Sequence, residues 1–321
     1  MKRSTLVLII VACGLVALGL VTALVGACMA KFDFRMLGRR LEVNTYEIGE
    51  SFESISINSA VEDVILLPSS DGKCVIECSE EKNVLHDVSV SDGVLSVLEN
   101  DQRRWYEHIS LFTVGEYDIK IYLPQNEYKD LTVKLSTGDI EIDKSFTFDN
   151  IDLNVSTGDV ECNASASGLI KVKTTTGDVA LENLSTGTID ISVGSGDIEL
   201  ESVICSGNID LAVRTGEAEL SDVKCETLNS TGTTGDISLR RVIASGSMDI
   251  ERGTGCVKFD RSDAASLKIK TTTGDVCGSF ASEKIFYTKT STGKIRVPKS
   301  TSGGECDVQT GTGDINLSIA S

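Results

Sequence analysis

The chain holds 321 residues, 40% of them apolar and only 5% aromatic, with 30 Lys and Arg against 48 Asp and Glu. From residue 41 onward the count is 24 against 47, a net charge of −23, which argues against nucleic acid and anionic lipid headgroups as partners of that surface. With two His and no Gly-x-Ser-x-Gly, His-Glu-x-x-His or phosphate-loop motif, catalysis has little support and no cofactor is implied.

The N-terminus differs from the rest. Lys2 and Arg3 precede an uncharged stretch from Thr5 to Ala30. That is longer than the roughly 7–15-residue apolar core of a signal peptide and reaches the length of about 20 residues that a spanning helix needs. We read residues 1–30 as a single transmembrane anchor in the cell membrane and 31–40 as a juxtamembrane linker, with the remainder outside the cytoplasm. Lys31, Arg35, Arg39 and Arg40 come after the helix, so the positive-inside rule leaves orientation open. Leu-Val-Gly-Ala-Cys, ending at Cys28, loosely matches a lipoprotein-processing site.

Residues 41–130 alternate apolar and polar, as in "FESISINSAVEDVILLP" and "YDIKIYLP", but without a strict period. They read as irregular first coils that cap a longer stack. Asn100 to Phe112 interrupts them and carries the only Trp, Trp105, beside Tyr106. This pair could hold a sugar or a partner; the plainer reading is hydrophobic lining of a cap.

From residue 131 the chain repeats. Thr-Gly-Asp-apolar recurs around Gly138, Gly158, Gly177, Gly196, Gly216, Gly235, Gly255, Gly274, Gly293 and Gly313, at gaps of 19 or 20 residues. Such regularity marks a repeat architecture, and the lack of insertions predicts that each unit stacks on the next. Apolar residues stand seven before each glycine and, in most units, five before it and two and four after it, with mostly polar residues between. This period-two pattern gives two short strands per unit, each with one apolar face. The glycine lies at the turn between them, the Thr hydroxyls before it could form a ladder, and the Asp after it suits a turn.

Two all-β architectures fit. In a β-solenoid of about ten coils, like residues stack roughly 4.8 Å apart in parallel sheets. In an antiparallel meander each Gly-Asp is a hairpin loop. Identical register of Thr, Gly and Asp in successive units favours the solenoid over residues 131–321, since a meander has no reason to keep it.

Stacking would align Asp139, Asp159, Asp178 and Asp197 in one column and Glu141, Glu161, Glu199 and Glu219 in another. Like charges at that spacing repel by about 1 kcal/mol each in water, which calcium could offset. However, the column is broken at Glu217, Cys256 and Lys294, and dedicated calcium solenoids have a shorter repeat. Solvated turn aspartates are the default. Among the ten Cys, Cys162 and Cys306 occupy apolar columns, and Cys205 and Cys225 stand where later units have Ala244 and Ala264, so they read as small core residues. Cys74 and Cys78 would share one strand face; no Cys-x-x-Cys suggests zinc.

The Ser/Thr-Thr-Gly-Asp units, the N-terminal apolar stretch and "LLPSSDGKCVIEC" together resemble the bacterial β-strand-repeat family labelled "putative adhesin", a domain of unknown function. The resemblance implies a membrane-anchored, right-handed β-solenoid of the cell envelope, with no catalytic residues to carry over. Three functions are expected in turn. The first is a non-enzymatic surface protein or envelope scaffold that meets envelope proteins or glycans. The second is a cation- or glycan-binding sensor module of an envelope-stress system. The third, least supported, is an enzyme acting on wall polysaccharide.

Overall fold

The computed structural model describes residues 12–22, 38–81, 83–104, 112–114 and 117–320. Two compact units are formed, one from Met1–Glu42, Glu80–Leu85 and Asp101–Glu116, the other from Val43–Ser79, His86–Asn100 and Tyr117–Ser321. In the first unit, residues 12–22 are helical and exposed, and Gly38–Arg40 pairs in parallel with Phe112–Val114. Among the described residues no helix is long and apolar enough to cross a membrane. The rest of the stretch expected to be an anchor, Cys28 included, lies outside the described residues.

The second unit is a β-solenoid, and its pairings remove the meander. Each repeat gives a short strand after its glycine and a long strand before the next. The short strands Ile140–Ile142, Val160–Cys162, Val179–Glu182 and Ile198–Glu201 pair in parallel and in register. The long strands Glu127–Thr137, Thr147–Thr157, Ser165–Thr176 and Ser185–Ser195 do the same. Ile151 faces Ile170 and Leu153 faces Val172, so each apolar column runs unbroken from coil to coil. These columns form the core: Leu153, Ile191, Leu200 and Ile237 are fully buried. Each such side chain contributes about 1.5–3 kcal/mol, and β-branched residues suit the pleated surface. Rings gather near the two ends of the stack: Phe52, Tyr128, Phe148 and Phe146 form one chain of contacts, Phe259, Phe280 and Phe286 another.

The repeat also starts before its Thr-Gly-Asp spelling. Ser54–Ser59 lies in register beside Glu127–Thr137, and Asp63–Pro68 beside Ile140–Ile142. Stacking order then departs from chain order. Ser54–Ser59 sits between Val94–Asp101 and Glu127–Thr137. At the other end Gly304–Thr312 sits between Val257–Thr273 and Lys284–Thr292. The expectation that every unit stacks on its successor fails there. The unit of Gly293 is outermost, and the unit of Gly313 has slipped beneath it.

A second corner, six residues after the glycine, is left-handed without glycine. Asn183, Ser202, Asp222, Arg241 and Arg261 have φ of 54°, 56°, 57°, 54° and 48°. This region costs an L-residue about 1 kcal/mol or more. Ser202→Gly should therefore raise the stability of the protein by about 0.5 kcal/mol, what remains after the entropy cost of glycine. A shift in urea midpoint would measure it; a lower midpoint would show that the corner is unstrained.

Candidate functional site

The acidic column is where the sequence placed its chemistry, and the coil backbones determine what it does. At each turn the chain passes so near the preceding coil that the glycine N–H donates to the next coil's carbonyl: Gly158 to Thr176 at 2.9 Å, Gly177 to Ser195 at 2.9 Å. The aspartate one residue on reaches the same neighbour. Asp139 Oδ1 accepts the Asp159 N–H at 2.8 Å, Asp159 Oδ1 the Asp178 N–H at 2.7 Å, and Asp178 Oδ1 the Asp197 N–H at 2.7 Å. Asp197 goes on to Glu217, Asp236 to Cys256, and Asp275 to Asp314. The carboxylates are exposed, as expected of turn residues, and in addition act as inter-coil acceptors. Glu141 and Glu161 also stack in register and remain exposed.

The breaks in the column now have a physical reading. Glu217 and Cys256 each receive the bond from the coil before, because a backbone N–H is present whatever the side chain. Lys294 receives one from Asp314 at 2.7 Å and belongs to the outermost coil, with no further coil to serve. The column also has a member the sequence did not advertise. Asp63 Oδ1 accepts the Asp139 N–H at 2.8 Å, and Glu62 holds the glycine's place. The only signal was Asp-Val-x-Leu in the apolar phase of the repeat.

The expected hydroxyl ladder sits in another column. Thr174, Thr271 and Thr310, three before their glycines, donate to the carbonyls of Gly158, Gly255 and Gly274. The Thr directly before the glycine serves through its backbone carbonyl.

This geometry gives a sharp expectation for the column. Asp178→Ala should cost about 1–2 kcal/mol, the worth of a hydrogen bond to a charged acceptor at an exposed site. Asp178→Asn keeps an oxygen acceptor and should cost well under half of that. Equal losses for both variants, together with a calcium-dependent rise in Tm of the parent only, would instead make the column a cation site.

A separate polar cluster is buried in the solenoid unit. His86 Nε2 lies 3.5 Å from Glu62 Oε1, with both side chains inaccessible. Burial pulls the imidazole down, but hydrogen bonds to Cys78 and Glu62 outweigh it and raise His86 to about 10. A raised pKa stabilises the fold fully below the unfolded value near 6.5, and that stability is lost as pH climbs toward 10. Buried thiols such as Cys162, Cys225 and Cys306, pushed up to about 12, add a similar loss above about pH 9. The contribution of His86 is therefore read between pH 6.5 and 9: stability should fall across that window and flatten in His86→Gln or Glu62→Gln. An unchanged slope in both variants would place the titration elsewhere. Nothing local in the sequence announces this cluster, because its members come together only through stacking.

The outer face of the long strands carries a concavity of about 610 Å³. Lys173, Ser192, Gly194, Ala212, Arg214 and Glu251 are among its lining residues. Trp105 and Tyr106 lie outside the described residues. Cys74, Cys162, Cys205, Cys225 and Cys306 are free thiols and buried, as small core residues should be, and Cys78 is buried beside His86.

Coil after coil, polar side chains serve the neighbouring backbone and apolar ones fill a continuous interior, which defines a parallel β-solenoid of stacked repeats. More particularly, the chain belongs to the Toastrack family, DUF4097, whose model matches residues 52–210 and 203–321. Among solved structures, it is similar to a "putative lipid binding protein" from Parabacteroides distasonis, with 16% identity over 87% of this chain and 96% of that one, at TM-score 0.49. It is also similar to a "putative adhesin" from Bacteroides fragilis, with 18% identity over 87% and 97%, at TM-score 0.41. A "putative adhesin" from Parabacteroides merdae shares 14% identity over 88% and 97%, at TM-score 0.44. No curated protein matches the chain.

Proposed function

We propose that the protein is a non-catalytic, adhesin-like component of the cell envelope, tethered to the membrane through residues 5–30 and presenting a rigid acidic solenoid outside the cytoplasm. One observation carries this reading. The most repeated polar groups of the chain, the turn aspartates, are spent on holding coils together, so the repeat builds a scaffold and no single coil is set apart as a reaction centre. The winding is right-handed on this reading, as parallel crossovers are. The trough lined by Lys173, Arg214 and several Ser and Thr residues favours envelope glycans as what the scaffold meets: an extended polyhydroxyl chain would lie along a face that offers hydroxyls and cations.

The test is fractionation of cells that make the full chain, and then protease treatment of intact cells. Release from membranes by detergent but not by salt, together with digestion of the repeats from outside, is the expected outcome. A soluble chain, or repeats protected until lysis, would sink the proposal. For the trough, Ala212→Trp, at an exposed residue of its lining, should abolish retention on insoluble cell-wall glycan while leaving Tm within a few degrees.

A further inference from the structure

The outermost coil differs from every coil beneath it. Lys284–Thr292 pairs on one side only, with Gly304–Thr312, and Ile295–Arg296 pairs only with Ile315–Ile319; among the described residues their other edge has no partner strand. A parallel sheet that stops in this way leaves a row of backbone donors and acceptors open. The apolar columns stop there too. Ile295 is 43% exposed, where its equivalents Ile198 and Ile237 are at 1% and 0%, and Phe286 and Val297 are only partly buried.

The charge of this coil is reversed as well. Residues 284–299 carry five Lys and Arg and no Asp or Glu, in a chain of net charge −18. Lys284 is spent internally, on Asp263 and the Ala264 carbonyl. Lys289, Lys294 and Arg296 are exposed. Lys294 holds the place of the turn aspartate, acidic in eight of the other nine units, and Arg296 that of the column in which Glu141, Glu161, Glu199 and Glu219 stand, so both places are cationic at the open edge.

We propose that this edge is a docking site for an extended acidic segment of another protein chain, added as one more parallel coil strand. The segment alternates apolar and acidic residues: its apolar side chains cover Phe286 and Ile295, and its carboxylates face Lys294 and Arg296 across the new pair. Backbone pairing supplies affinity and the side chains supply selectivity, with opposite charges directly across contributing as cross-strand pairs do. The pattern is that of a Thr-Gly-Asp unit, in which Asp and Glu stand one and three residues after the glycine. An identical edge from a second copy is disfavoured, since it would set Lys and Arg against Lys and Arg.

The probe is a synthetic peptide of residues 187–201, "GTIDISVGSGDIELE", whose Asp197 and Glu199 fall opposite Lys294 and Arg296 in coil register. Titrated with the detergent-solubilised full chain, the fluorescently labelled peptide should bind saturably, weaken with salt, and protect the amides of residues 284–296 from hydrogen exchange. Lys294→Glu with Arg296→Glu should weaken it at least tenfold, and a peptide with Lys in place of Asp197 and Glu199 should restore binding to that variant. Circular dichroism of the variant checks its fold, and the restored binding is itself a readout that an unfolded variant could not give. No saturable binding at any salt concentration overturns the proposal and leaves the basic edge as a block to strand addition. Binding that is indifferent to charge reversal, or protection elsewhere on the solenoid, overturns it equally.

Discussion

Gly177→Ala should destabilise the protein by roughly 3 kcal/mol or more, near the upper end for a single methyl group. Gly177 has φ +138°, a region that side chains rarely enter, and a Cβ placed there would stand 1.9 Å from the carbonyl oxygen of Gly158. Two costs therefore add: backbone strain, and a collision that relaxes only if the coils separate. Separation would stretch the Gly158 N–H bond to the Thr176 carbonyl and the Asp159 bond to the Asp178 N–H, which both join these two coils. Because a solenoid is stabilised by nearest-neighbour interfaces, the damage should be local. Hydrogen exchange should accelerate first in the coils on either side of residue 177. Urea unfolding of the variant measures the loss, and a loss below about 1 kcal/mol would mean that the coils are not in this close contact. Gly194→Ala, at a glycine of the long strand Ser185–Ser195 without the positive φ, should cost less.

The second large effect runs in the opposite direction. Restoring apolar residues at three positions, Ser230→Val with Gly232→Val and Arg252→Val, should stabilise the protein by about 2 kcal/mol. Arg252 stands in a column filled elsewhere by Val155, Val193 and Val213, and only 2% of it is accessible. Its guanidinium bonds to Ser230 Oγ at 2.8 Å and to the Glu251 carbonyl at 3.1 Å, with no carboxylate partner. Burial pulls the guanidinium down to about 10. Gly232 makes the room: the three atoms nearest to a Cβ there would all belong to the Arg252 side chain, with Nη1 at 2.7 Å. The three residues form one compensated exchange of apolar for polar, so the single changes should not behave like the triple. Gly232→Val alone should destabilise by collision, and Arg252→Ala alone should leave a cavity beside the Ser230 hydroxyl. Urea unfolding of the singles and the triple forms the test, and a triple variant less stable than the parent would show that the arginine contributes net stability.

The sequence made the coil legible because stacking forces like onto like. Ile151 over Ile170 and Val160 over Val179 repeat one environment, and one environment selects one kind of residue. The glycine column was legible for the same reason. The function of the aspartate was not, since Asp suits solvent and backbone capping equally well and only the neighbouring coil tells them apart. Position 294 shows the limit clearly: in a linear reading, Lys is a fault in the column, whereas in space it marks the coil beyond which there is none. The reordering of the last two units left no trace in the period, because a parallel stack with a common register accepts its units in either order. The pairing of Glu62 with His86 was hidden by distance along the chain.

The same reordering constrains how the protein is made. Emerging in order from the ribosome or an export channel, residues 284–297 appear before the strand that must lie beneath them. Docked at once on Val257–Thr273, they would occupy the place of Gly304–Thr312. The solenoid thus cannot be completed by simple addition at its growing tip. The strand Lys284–Thr292 must wait, or move aside, until residues 304–319 arrive as a keystone. A chain cut after residue 303 would lose more than one coil: the coil before it would have the wrong neighbour or none. Completion is therefore a late, nearly all-or-none event, and quality control that inspects this end of the stack inspects the whole chain.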